Sequence, residues 1–160
     1  MTVFHCTTCA TALTNDLAEL PRLPAFPEFD GRVQADGLRR APSTVPAGYF
    51  AVQPEPWGAP FAPTDDCVAA YPGGPCMTDP DGDGFLVSAG PRDTVVIHPD
   101  DAPELRPDPD YRDAGCCGLR GTEGMNRFCP GCGAEVGTQV SECYTPYELH
   151  LDPGRVRRTA

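Results

Sequence analysis

Lysine is absent: all 12 basic residues are arginine, they face 23 acids, and the formal net charge is −11. A protein that reads phosphate backbones needs a basic face, and no stretch of this chain supplies one, which argues against nucleic acid as a partner. The only basic cluster, Arg155, Arg157 and Arg158, reads as a frayed end. Large apolar residues are scarce too. Leu, Ile, Val and Phe make up 29 residues, 18% of the chain, which is under the roughly 20% below which highly charged chains are usually disordered. Pro and Gly contribute 20 and 17 residues, so a chain this lean needs a source of stability besides its core.

Long apolar runs are missing as well. Nothing approaches the roughly 18 consecutive apolar residues of a membrane span, and Met1 to His5 has neither a charged start nor an apolar stretch. The expectation is a soluble, cytoplasmic protein whose thiols stay reduced and bind metal. Nine cysteines, an odd number, agree with that. Helical periodicity of three turns or more occurs nowhere, and no repeat is visible beyond two short cysteine motifs. No Gly-x-Ser-x-Gly elbow and no glycine-rich phosphate loop is present, so no catalytic centre is spelled out.

What is present is cysteine at the right spacing. Cys6-Thr-Thr-Cys9 stands near the start and Cys129-Pro-Gly-Cys132-Gly133 near the end. A two-residue spacer bends the backbone so that both sulfurs aim at one point, and glycine after the second cysteine tolerates the positive φ of the return. Tetrahedral zinc takes four sulfur or nitrogen ligands, and two such pairs supply all four. Cys6, Cys9, Cys129 and Cys132 are therefore the candidate Zn²⁺ ligands, and together they resemble a zinc ribbon. The departure from a compact ribbon is the 119 residues between Cys9 and Cys129, read as a large insertion. Rubredoxins share a Cys-Pro-x-Cys-Gly knuckle around iron, but carry both knuckles in a much shorter chain, so zinc is preferred.

Ligand choice stays open at this point, because Cys116, Cys117 and Cys143 lie near the second knuckle. They could replace part of the quartet, form a reversible disulfide, or be small buried hydrophobes. Adjacent cysteines in an extended chain point oppositely, which speaks against Cys116 and Cys117 sharing an ion. Cys67 and Cys76 fall in a loop without a knuckle.

The fold class expected is mainly β: a small antiparallel sheet with long Pro- and Gly-rich loops, its ends joined by the zinc-ribbon-like site. One zinc-stabilised domain spans residues 1–160. In it, 1–14 and 115–151 form the knuckle region, 21–47 an extended Pro-rich arm, and 48–98 the inserted strands. Residues 14–20 could also form a capped helical turn ended by Pro21. FLVS (85–88) and TVVIH (94–98), joined by AGPRD, read as a hairpin at the sheet centre. Tyr147 to Leu151 alternates apolar residues with Glu148 and His150, which predicts one buried and one polar face. Trp57, set between prolines, reads as the plug of a Pro-rich loop.

Weaker patterns yield to plainer readings. Asp79, Asp81 and Asp83 with Gly84 imitate the opening of a calcium loop, but no bidentate glutamate and no flanking helices follow, so an acidic turn is expected. The histidines are scattered. His98 could replace one cysteine at a catalytic zinc, and Ser88 with His98 could form a triad only on paper.

The run from GCCG at 115–118 through NRFCPGCGAEVGTQVSEC to PYELHLDP, with RRAPSTVP and VSAGPRDTVVIHPDDAP earlier, is similar to segments in a group of bacterial proteins that also begin with Cys-x-x-Cys. That resemblance implies a shared domain and adds no mechanism. The function expected is that of a non-enzymatic zinc-binding protein, with a structural metal, acting by interaction with another macromolecule, a protein. The alternative is a thiol-based redox or zinc-release sensor using Cys116 and Cys117 or a labile knuckle.

Overall fold

The computed structural model describes all 160 residues. Twelve strands follow in chain order: β1 (Val3–Cys6), β2 (Ala18–Glu19), β3 (Tyr49–Gln53), β4 (Phe61–Thr64), β5 (Met77–Thr78), β6 (Phe85–Ser88), β7 (Thr94–Ile97), β8 (Arg106–Pro107), β9 (Arg127–Phe128), β10 (Glu135–Val140), β11 (Glu148–Leu151) and β12 (Val156–Thr159). The only helical piece is a 3₁₀ turn, Pro99–Asp101, and no helix is long and apolar enough to cross a membrane. The molecule is mainly β, as composition and periodicity lead one to expect.

Seven strands form the main sheet in the order β2-β3-β7-β11-β10-β9-β8, antiparallel except for the parallel β2–β3 pair. The helical turn considered for residues 14–20 is therefore replaced by a short edge strand. β7 and β11 sit at the middle, and every one of their eight residues is buried. Alternation along them decides what lies on each side. Val95, Ile97, Leu149 and Leu151 join Phe4, Leu17, Phe50 and Val136 in the larger core, on the side covered by the β1–β12 pair. Val96 packs with Val45 and Ala51 on the opposite side, where Trp57 and Tyr71 fill a second apolar cluster with Val140.

The hairpin expected between residues 85 and 98 does not form. β6 pairs with β4 and β5 in a separate three-stranded sheet, while β7 pairs with β3 and β11. The connector is held by the Trp57 loop instead: the Ser88 hydroxyl donates to Gly58 O (2.6 Å), Ala89 N–H to Pro60 O (2.7 Å), and Trp57 N–H to Pro91 O (3.0 Å). At Gly90 a side chain would collide with the carbonyl oxygens of Trp57, Gly58 and Ala59. The glycine that suggested a turn is required by that close backbone approach.

One further expectation changes. The arginine tail is not frayed: β12 pairs with β1 in register from Cys6↔Val156 to Val3↔Thr159, and Arg158 meets Glu19 at 3.0 Å. The arm at 21–47 runs without strands until its end, where Ser43 bridges Tyr147 and Val45 is fully buried.

Candidate metal centre

Each knuckle is built by the same backbone hydrogen bonds. In the first, Cys6 N–H donates to Thr11 O and Ala10 N–H returns to Cys6 O; in the second, Cys129 N–H donates to Ala134 O and Gly133 N–H returns to Cys129 O. The residue after the second cysteine is left-handed in both, Gly133 at φ 75° and Ala10 at φ 63°. Glycine adopts that conformation without cost, whereas alanine carries strain of order 1 kcal/mol, held there by the closed turn.

β1 delivers the first knuckle and β9 the second, and the fold brings all four sulfurs within 4.8 Å of one another. Cys6 Sγ lies 3.8 Å from Cys132 Sγ, and Cys9 Sγ 3.6 Å from Cys129 Sγ. Four sulfurs bound about 2.3 Å from one central ion stand about 3.8 Å apart in a tetrahedron. The spacing therefore fits a single tetrahedral ion. Cys6 and Cys129 are buried in the larger core while Cys9 and Cys132 face outward, so the cluster belongs to the packing on one side and to solvent on the other.

Neighbouring groups are arranged for thiolates. Gly131 N–H donates to Cys129 Sγ at 3.3 Å, and Thr11 Oγ1 lies 3.1 Å from Cys9 Sγ. In the free chain the Thr11 hydroxyl and N–H hold the Cys9 thiol down at about 6. Cys6 works against desolvation, and the N–H groups of Cys9 and Thr8 with the Cys132 and Cys129 sulfurs keep it below the ordinary thiol range. Cys132 receives help from the Ala134 N–H but is pushed up to about 12 by desolvation and the sulfurs around it. Four crowded sulfurs thus share protons, and a divalent cation would replace those protons with a single doubly charged ion at the centre.

No histidine enters a metal-ligand group. His5 meets Thr159, and His98 accepts from Asp100 N–H to cap the 3₁₀ turn, which removes it as a fourth ligand. Asp79 folds the acidic turn as expected, accepting Asp81 N–H at 2.9 Å. Ser88 ends β6 in the three-stranded sheet, whereas His98 lies beyond β7 as the cap of the 3₁₀ turn, and the two make no triad.

Sequence reasoning missed two features. Cys116 and Cys117 are exposed and Cys143 half-buried, so none of the three is a buried hydrophobe, and their sulfurs lie within 4.8 Å of one another. The rule for extended chains fails because they occupy the tip of a tight turn, closed by Gly115 N–H to Gly118 O at 2.7 Å. The second feature is the polar side of β11, which is buried. His150 Nε2 lies 2.6 Å from Glu148 Oε2 and Nδ1 lies 2.8 Å from Thr94 Oγ1, with the ring stacked on Trp57 at 3.5 Å between centroids. Trp57 is thus a plug, and what it covers is a polar chain across β7 and β11. The signal was only the Glu-x-His alternation.

Cys67 and Cys76 are joined by a disulfide in an exposed loop, against the expectation of reduced thiols. Their Cα atoms lie 5.8 Å apart, within the usual range for such a bridge. The other seven cysteines are free. No family model, curated protein or solved structure matches the chain, so the functional argument rests on this geometry.

Proposed function

We propose that Cys6, Cys9, Cys129 and Cys132 hold one structural Zn²⁺ ion, and that the chain acts without catalysis by binding another macromolecule, a protein. The observation that carries this is the convergence of two matching knuckles, 120 residues apart at Cys9 and Cys129, on sulfur separations suited to one tetrahedral ion. Thiolates are soft ligands that suit zinc, and four of them leave no open position for an activated water. Such a site is a poor Lewis acid and a good staple.

The Thr94–His150–Glu148 chain has the order of hydroxyl, base and carboxylate found at activated nucleophiles. Thr94 is only 2% exposed and Trp57 covers the imidazole, which supports a structural role for it. For the partner, the charge of −11 disfavours phosphate backbones, whereas Tyr49, Tyr111 and Tyr144 stand exposed. Tyrosine is enriched where proteins meet proteins. The quartet must stay reduced to bind its ion, which goes with a cytoplasmic location, while the exposed Cys67–Cys76 disulfide speaks against one.

The test is retention on the immobilised, zinc-loaded chain from nuclease-treated and untreated extracts of the source cell. Recovery of one defined protein that binds again when purified, and is released when zinc is chelated, is the expected result. Retention only of nucleic acid, or turnover of a substrate by the purified chain, would contradict the proposal.

A further inference from the structure

The turn Gly115–Gly118 is wrapped around a buried carboxylate. Glu142, 1% exposed, accepts Cys117 N–H at 2.6 Å and Gly118 N–H through Oε1, while Oε2 lies 3.2 Å from Cys116 Sγ. Side chains at Gly115 and Gly118 would collide with Glu142 and with Ser141 O, so both glycines are needed to seat the turn. The next residue after Glu142 is Cys143. One carboxylate two residues past β10 therefore seats the Cys116–Cys117 turn beside Cys143, with Cys116 and Cys117 Sγ 3.6 Å apart and all three sulfurs within 4.8 Å.

Free cysteine is among the most buried residue types, and its reactivity or metal binding usually decides whether it is kept. Here three sit together at the surface in a chain where one disulfide has already formed elsewhere. Their separations approach the roughly 3.8 Å of sulfurs that share one ion, and no fourth Cys, His or carboxylate joins the group.

We propose that Cys116, Cys117 and Cys143 form a second metal site, a three-thiolate cradle with its fourth position open to solvent, which takes one thiophilic d¹⁰ cation. Each thiol gives its proton to solvent as the ion enters. Soft thiolates select cations of the Zn²⁺, Cd²⁺ or Cu⁺ kind over Mg²⁺ or Ca²⁺. An ion with one open position exchanges faster than one enclosed by four sulfurs, so this site is the labile one of the two. The inference does not depend on the identity of the ion in the four-cysteine site.

The test is Cd²⁺ saturation of the full chain under reducing conditions, with ions per chain counted by native mass spectrometry. Two ions are expected for the wild type and one each for Cys117→Ser and Cys143→Ser, whose circular dichroism should match the wild type because both residues lie in exposed or half-buried loop positions. A chelator should withdraw the two wild-type ions in a fast and a slow phase, and the fast phase should vanish in both variants. A wild type that saturates at one ion which both variants keep, or variants that still bind two, would overturn the site. Failure of the four-cysteine reading is distinguishable, since the variants would then bind none.

Discussion

Cys129→Ser is expected to leave the chain unfolded at 25 °C. The sulfur lost is fully buried, belongs to the larger core and sits 3.6 Å from Cys9 Sγ. Structural zinc contributes an apparent ~10–16 kcal/mol in finger peptides at neutral pH, whereas a whole domain is stable by only about 5–15 kcal/mol. A core with so few large aliphatics cannot offset that loss. The hydrogen-bonded turn of the second knuckle would remain possible, but β1 and β12 would be held against the main sheet only by core contacts such as Phe4 on Phe50 and by the Arg158–Glu19 pair. Far-UV circular dichroism and urea titration check this: a broad, non-cooperative transition is expected, and a wild-type midpoint would contradict it.

His150→Ala is expected to destabilise the chain by about 3–5 kcal/mol, the usual consequence of removing one member of a buried pair. The ring is 2% exposed, stacks on Trp57 and ties Thr94 to Glu148. Its removal leaves the Glu148 carboxylate and the Thr94 hydroxyl buried without that partner, beneath a tryptophan that has lost its stacking surface. The melting temperature should fall by on the order of 10 °C for a chain of this length. Metal content should stay at the wild-type value, because His150 is on the opposite face of the sheet from the four cysteines. A loss of under about 1 kcal/mol would show that the polar chain is incidental to the fold.

The cysteine knuckles were legible in the sequence because their signal is local: two residues between cysteines and, in the second, a glycine where φ must be positive. The β class was legible for the same reason, since strands such as Thr94–Ile97 announce themselves over four residues. Pairing was not. Whether Phe85–Ser88 folds back on Thr94–Ile97 depends on the Trp57 loop, which captures Ser88 and Ala89 from outside the segment, and no local rule contains that competition. The face of β11 was misjudged for a related reason. Alternation told which residues share a side, and it could not tell that a second apolar cluster would cover the polar one. The cysteine pair at 116–117 was read with a rule for extended chain, and the turn around Glu142 replaced that geometry. The tail strand escaped because its partner lies at the other terminus.

The most direct measurement is the metal content of the purified, reduced chain, followed by its urea unfolding before and after exhaustive chelation. Tightly bound zinc that resists mild chelation, a cooperative transition while it is present, and collapse of that transition once it is gone are the expected results. A metal-free chain that unfolds with the same midpoint would mean that the sulfurs of Cys6, Cys9, Cys129 and Cys132 meet for some reason other than an ion.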